Sequence, residues 1–247
     1  MTKQSGLGDN AYIAGYNLSG DITSLGRIGG GPAPWEVTGI DKSAVERIGL
    51  LRDGAIEYTA YFNPAAGQAH PRLSLLPTTD VLMTYCRGTT LGSPAAGLVA
   101  KQIDYDGDRG DDGSFTFKVQ ALANAYGIEW GRQGTAGIRT DTTATDGASI
   151  DDAAASSFGL QAYLHVFAFT GTSVTVKLQE SSNDGGGDAF ADVTGGAFAA
   201  ASAIGTQRIA TAGGLAVERY LRVVTTGTFS NAQFAVLIVR NQVATAF

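Results

Sequence analysis

Residues Thr38 to Pro64, TGIDKSAVERIGLLRDGAIEYTAYFNP, constrain this chain more than any other stretch. Ser43 and Glu46 stand at the spacing of a capping box, in which a hydroxyl and a carboxylate satisfy the free N–H groups at a helix start. The helix predicted there is a single turn, because Gly49 follows almost at once. Asp53-Gly54 then reads as a turn, and from Ala55 to Phe62 the side chains alternate. Ile56, Tyr58, Ala60 and Phe62 fall on one face of a strand, with Glu57, Thr59 and Tyr61 on the other, until Asn63-Pro64 stops it. A capped turn feeding a half-buried strand is a piece of β framework, and it points to assembly rather than catalysis.

A length of 247 residues suits one large β domain or two smaller ones. The 34 glycines, with few lysines, indicate many tight turns between short strands and argue against a helical bundle. A net charge of −6, from 17 basic and 23 acidic residues, argues against a surface that grips nucleic-acid phosphates. It suits a surface past which DNA slides without sticking. The lone Cys86 has no partner for an intramolecular disulfide and reads as a small buried hydrophobe. The start, MTKQSGLGDN, lacks the apolar stretch of a secretory signal, and no run approaches the ~20 apolar residues of a membrane helix, so synthesis as a soluble cytoplasmic protein is expected.

Along the chain, a short strand is predicted from Ala11 to Asn17, and Gly29 to Pro34 (GGGPAP) reads as a loop or mobile arm. A second short helix is predicted from Pro71 to Leu76, ended by Pro77. Strands follow at Val81 to Arg87, Leu98 to Tyr105 and Ser114 to Ala123, the last with Phe115, Phe117 and Val119 alternating against Thr116, Lys118 and Gln120. The segment Gly134 to Ala155 is poor in large apolar residues, and a domain boundary is placed at its start, giving units 1–133 and 134–247. Beyond it, hairpins are predicted from Leu160 to Phe169, Ser173 to Ser181, Gln207 to Thr211, Arg219 to Thr225 and Ala232 to Arg240. Thr170-Gly171-Thr172 and Thr226-Gly227-Thr228 serve as turns in that reading, and the whole reads as a β-sandwich.

The search for chemistry finds little. Asp104 to Asp112 (DYDGDRGDD) invites a calcium reading, but Arg109 stands where an EF-hand wants glycine and Phe115 where it wants a glutamate, so a solvated turn is the better account. Gly29 to Gly31 has no following Gly-Lys-Ser/Thr and is no phosphate cradle. His70 and His165, the only histidines, would have to join two halves to share a metal. No Gly-x-Ser-x-Gly elbow is present, and Asp151-Asp152 reads as a solvated pair. No catalytic residue, cofactor or metal site is assigned. By contrast Tyr58, Tyr61, Phe62, Tyr163, Phe167 and Phe169 lie in strands whose two faces are both partly apolar, so that one face can fill a core and the other meet a neighbouring subunit.

The order of these segments resembles the tail tube (major tail) protein of long-tailed bacteriophages. The resemblance spans about residues 11 to 131 and is carried by Thr38 to Ile48, by Leu51-Arg52-Asp53-Gly54 with its strand, and by Leu98 to Gln102 leading to Asp112 to Thr116. The second half, with Val174 to Ser181 and Arg219 to Val224, is similar to the sandwich modules appended to phage virion proteins and to galactose-binding-like sandwiches. The fold implied is mainly β: a tail-tube-like barrel or sandwich with one or two short helices, then a C-terminal β-sandwich of galactose-binding or immunoglobulin type. The function implied is structural and not enzymatic. Homohexameric rings stack into a tube through which the genome is ejected, the protein's partners being itself, other tail proteins and, transiently, DNA in the lumen. On this reading Glu57, Tyr58, Thr59, Tyr61 and Phe62 belong to an inter-subunit barrel strand. Leu25 to Trp35 and Leu91 to Gly97 are arms that order on stacking, and the C-terminal module decorates the virion and touches the host surface weakly. The competing reading is a capsid decoration or host-surface protein whose sandwich recognises carbohydrate.

Overall fold

The computed structural model describes residues 5–244. Strands β1 (Asn10–Ile13) and β2 (Tyr16–Asn17) lead into two long strands, β3 (Ile22–Glu36) and β4 (Arg47–Tyr61), and then the helix α1 (Ala69–Leu73). Next come β5 (Val81–Cys86), β6 (Pro94–Gln102), β7 (Asp106–Arg109), β8 (Phe115–Ala123) and β9 (Glu129–Gln133). The remainder holds β10 (Arg139–Asp141), β11 (Asp146–Asp151), β12 (Leu160–Ser181), β13 (Ala191–Ala197), β14 (Gly205–Ala210) and β15 (Tyr220–Arg240). The fold is mainly β, as the glycine-rich, helix-poor sequence implies.

The chain forms two compact units. Among the described residues, the first takes those up to Ser19, Thr84–Gly97 and those from Trp130 onward, and the second takes Gly20–Met83 with Leu98–Glu129. This grouping is interleaved where the reading from sequence was linear, with the final entry into the first unit at Trp130, close to residue 133.

The first unit is organised by β12 and β15, which pair antiparallel along their whole length from Leu160↔Arg240 to Ser181↔Tyr220. Each was expected to be two strands joined by a glycine turn, and neither is. Gly171 and Gly227 lie inside continuous strands, where they make a bend, and the register slips around Gly171. Both have positive φ, 149° and 120°, and a Cβ on either would run into the facing backbone, Phe229 Cα in one case and Ser173 O in the other. Bending a ribbon by a bulge and a glycine lets one strand serve two layers. The outcome is a single core in which Leu160, Leu164 and Val166 from before the bend meet Val174, Val176 and Leu178 from after it. Outer strands complete the layers: β14 on the first half of β12, β13 on its second half, and β11 and β10 along β15. The stretch from Gly134 to Ala155, expected as linker, supplies β10 and β11. In the same unit the single strand expected from Ala11 to Asn17 is a hairpin, turned by Ala14 and Gly15, both with positive φ, as a two-residue hairpin turn requires.

The second unit is built on β3, β4 and β8. Ile56, Tyr58 and Ala60 of β4 stand opposite Ala121, Val119 and Phe117 of β8, and all six are buried. This is the alternation the sequence displays, and it fixes the register because a slip of one residue would turn every apolar side chain to water. β7 hydrogen-bonds to the start of β8, so Asp104 to Asp112 contributes an edge strand as well as a turn. Helix α1 occupies nearly the place predicted. The Asp21 carboxylate holds its start by accepting from Ala69 N at 2.9 Å, and Gln102 Nε2 donates to Leu73 O at 2.7 Å.

The helical turn predicted at Ser43 to Ile48 does not form. Val37 N donates to Glu46 O and Glu46 N donates to Thr38 Oγ1, so these residues close the loop between β3 and β4. A capping box stabilises a helix only when apolar residues behind it have something to pack on, and here they lie on a two-stranded ribbon. For the same reason Asp53-Gly54 is not a turn and Gly29 to Pro34 is not a loop: Gly30 pairs with Gly54, Gly31 with Asp53 and Pro32 with Arg52. The start of the Leu91 to Gly97 segment is a loop, but Pro94 to Gly97 begin β6, and Gly97 lies under the Tyr163 ring and Leu237, where a Cβ would be 2.6 Å from Tyr163 Cε2.

Candidate assembly surface

Strands β3 and β4 form a long hairpin whose two halves differ. From Ala55 to Tyr61, β4 is hydrogen-bonded to β3 on one side and β8 on the other. From Arg47 to Gly54 it has β3 alone. The change comes at the Gly30↔Gly54 pair, where a Cβ on Gly30 would strike the Asp53 carbonyl and one on Gly54 would sit 2.6 Å from Ile128 N. Two glycines thus allow the chain to pass closely where the ribbon leaves the sheet. Beyond them, residues 30–37 and 40–53 are exposed.

This ribbon exposes large apolar side chains among charged ones, Glu36, Asp41, Lys42, Glu46, Arg47, Arg52 and Asp53. Trp35, Val37, Ile40, Val45, Ile48, Leu50 and Leu51 are all exposed, Leu51 by 87% and Trp35 by 57%, with Trp35 directly across from Ile48. Between Pro32 and Pro34 the register slips, so that Leu50 and Leu51 together oppose Ala33. A lone two-stranded ribbon is marginally stable. Burying a side chain such as Leu or Ile is worth about 1.5–3 kcal/mol, so seven left in water form a surface built to be covered. Pro32 and Pro34 lack donors and break up the free edge of β3, which directs any contact to the ribbon's faces.

The residues singled out from the sequence lie at the root of this hairpin. Tyr58 points into the unit's own core with its hydroxyl unpaired, and burial raises its pKa. Phe62 packs against Phe115, Phe117 and His70, at ring distances of 5.1, 5.9 and 4.5 Å. Glu57 is half-buried, 3.6 Å from Arg27 and accepting from Gln120 Nε2 at 3.1 Å. With Thr59 and the exposed Tyr61 it forms a face that is largely polar, beside Thr116, Lys118 and Gln120 of β8. Of the other aromatic residues, Tyr163 is buried and Phe167 meets Tyr12 edge-on at 5.0 Å. The apolar side chains of the ribbon were hidden in the sequence behind apparent helix, turn and loop signals, and only the structure shows β3 and β4 as strands of equal length around a ten-residue gap.

The remaining polar candidates are bound up internally. His165 is fully buried; Gly15 N donates to its Nδ1 at 3.4 Å, which leaves Nε2 to donate to Thr84 Oγ1 at 2.9 Å. Burial pushes its pKa down to about 3, so the ring is neutral. His70 Nδ1 lies 3.1 Å from the Tyr105 hydroxyl. Burial pushes the Cys86 thiol up to about 12, and it is inert. Asp104 accepts from Gln120 N and Asp112 from Ser114 N, while Asp151 forms two hydrogen bonds with Arg219 that hold its carboxyl well below the usual range. Among the described residues no group of three or more His, Cys, Asp or Glu could hold a metal ion, and no helix is long and apolar enough to cross a membrane.

No protein-family model and no curated protein matches the sequence. Solved structures similar in part include the Dit protein of phage SPP1, a hub of the adsorption apparatus of phages infecting Gram-positive hosts, at 11% identity and a TM-score of 0.33, covering 93% of this chain and 98% of that one. Chains of the phage p2 baseplate in its activated conformation are similar as well. With strontium the match has 8% identity and a TM-score of 0.34, covering 95% and 99%; with calcium it has 10% identity and a TM-score of 0.32, with the same coverage. Superpositions this loose establish neither a shared fold nor a shared role.

Proposed function

We propose that this protein is a structural component of a phage tail, which self-associates into rings of six that stack into a tube for genome passage. The observation that carries the reading is the exposed apolar ribbon of β3 and β4, a surface that a lone subunit has no use for. A second copy supplies cover for it, and a head-to-tail contact repeated around an axis closes a ring. The order of segments from residue 11 to 131 supports the tail assignment, although Thr38 to Ile48 enters as a hairpin loop and strand start in place of a helix. In this reading Glu57, Thr59 and Tyr61 look out from a barrel wall whose strand is already flanked by β3 and β8. The module from 134 to 247 stands outside the tube, other tail proteins cap its ends, and the acidic surface lets DNA pass unbound.

Sedimentation velocity at rising concentration, with electron microscopy of the same samples, tests the proposal. Rings or tubes are expected from the native protein, and monomers of unchanged circular dichroism from a Trp35→Ser, Ile48→Ser, Leu50→Ser variant. A native protein that stays monomeric at high concentration overturns it.

A further inference from the structure

The ribbon of β3 and β4 calls for a counter-surface, and the second unit carries one at the far end of the same strand. Just past β4, Phe62 packs on His70 of α1 and on Phe115 and Phe117 of β8. The cluster is held rigidly. Tyr105 stacks on Phe117 at 4.1 Å and 9°, its hydroxyl lies 3.1 Å from His70 Nδ1, and Phe62 N donates to Phe115 O at 3.1 Å. Gly107 stands opposite Phe117 in the ladder, where a Cβ would be 2.7 Å from the ring, so the glycine leaves that ring its place. On this base Phe62 and Phe115 stay 39% and 38% exposed, and Leu75 and Leu76, just after α1, are exposed as well. Aromatic side chains already fixed in place lose little freedom on binding, which makes them good anchors for an interface.

Ribbon and cluster stand at opposite ends of β4. From Leu50 to Phe62 runs about 40 Å of extended chain, so the two surfaces meet only between copies. Their charges match too. On the ribbon the apolar pair Trp35↔Ile48 is followed by Glu36↔Arg47, which face one another without an ion pair, while Lys42 holds Asp41 and Glu46. At the cluster Phe115 pairs in the ladder with Arg109, and neither Arg109 nor Asp111 forms an ion pair among the described residues. Asp106 and Asp108 alternate with Gly107 and so lie on the other face of β7. Each surface thus sets apolar side chains beside an acid and a base that its own subunit leaves without an ion pair.

We infer that the ribbon is covered by the aromatic cluster of a second copy, in a head-to-tail contact that sets Trp35 and Ile48 on Phe62 and Phe115, and Glu36 on Arg109. This rests on the proposal that a second copy covers the ribbon, and adds where on that copy it lands. Such a contact leaves a ribbon free at one end and a cluster free at the other, so it repeats until it closes.

Single cysteines placed beside the two surfaces test it, Ala33→Cys on the ribbon and Ser114→Cys next to the cluster, in separate full-length chains of which one carries a size tag. Both positions are exposed, and the native Cys86 thiol is buried and inert. After mixing and treatment with a short bis-maleimide, the expected product joins the two different chains, in excess over either chain joined to itself. In sedimentation, Arg109→Glu should raise the concentration needed for assembly about fivefold, and adding Glu36→Arg to the same chain should restore it. Ribbon-to-ribbon products from Ala33→Cys, or no mixed product from chains that do assemble, overturn the inference and leave self-association standing. So does an Arg109→Glu chain that assembles like the native one, or one whose defect Glu36→Arg fails to repair. A native protein that stays monomeric removes this inference and the proposed function together.

Discussion

Gly171 of β12 and Gly227 of β15 sit at the same bend of one two-stranded ribbon, each pressed against the other strand's backbone. Gly171 stands over Phe229 Cα and Gly227 over the Ser173 carbonyl. The sandwich core exists because the ribbon turns there. Alanine at either position adds a Cβ inside a backbone contact and strains a positive φ, so Gly171→Ala and Gly227→Ala are each expected to cost about 2 kcal/mol or more. Gly205→Ala serves as the control, since that glycine has ordinary φ and nothing within 4 Å of the position its Cβ would take. Urea midpoints of the three variants check the ranking, and equal midpoints would show that the bend tolerates a side chain.

The same pair shows where the sequence is legible and where it is not. Thr170-Gly171-Thr172 and Thr226-Gly227-Thr228 look like hairpin turns because glycine signals a positive φ without saying whether the chain reverses or bends. Only the partner strand decides, and it lies far away in sequence. Where one face is buried and the other wet, as in Phe115 to Ala123, period-two alternation alone places the strand correctly. The ribbon failed on both counts, since its apolar residues have no core to alternate against and Ser43 with Glu46 imitates a helix start.

Tyr58 supplies a test of the second unit's core. Its hydroxyl is buried with no hydrogen-bond partner, a penalty of about 1–3 kcal/mol that phenylalanine removes while keeping the ring. Tyr58→Phe should therefore be neutral or stabilise by about 1 kcal/mol, read as an unchanged or raised urea midpoint. Loss of stability on that change would mean that the hydroxyl has a partner.

His165 predicts an acid sensitivity. Its folded pKa, about 3, lies below the ordinary imidazole value of 6.5, so between those values the unfolded chain binds a proton that the folded chain refuses. Stability is full above pH 6.5 and falls as the pH drops from there toward 3, with a limiting slope of about 1.4 kcal/mol per pH unit. The depressed carboxylates Asp151 and Asp192 begin to lose their contribution as the pH falls through the usual carboxylate range and lose it fully only below that. Between pH 6.5 and about 4.5 the histidine is opposed by Glu180, whose carboxyl pKa is raised by burial and whose contribution grows as the pH falls, so the share that belongs to the histidine is the difference between native protein and variant. His165→Gln keeps a donor toward Thr84 and should flatten that part of the curve, whatever its effect at neutral pH. A retained slope in the variant would assign the acid sensitivity elsewhere.

Trp35 reports on the ribbon without any need to see the assembled particle. The chain has two tryptophans, Trp35 and Trp130, both more than half exposed in the subunit. A Trp130→Phe variant leaves Trp35 as the sole indole, next to Ile48 across the ribbon. If the ribbon's faces are covered on assembly, emission from Trp35 is that of a wet indole in dilute solution and shifts to shorter wavelength as concentration rises, together with the sedimentation coefficient. Leu51→Ser, on the same ribbon, should move both transitions to higher concentration by about tenfold or more, since losing one buried leucine contact is worth about 1.5–3 kcal/mol. Assembly that proceeds with no change in Trp35 emission would place the contact on another surface, and would leave the exposed apolar ribbon without its use.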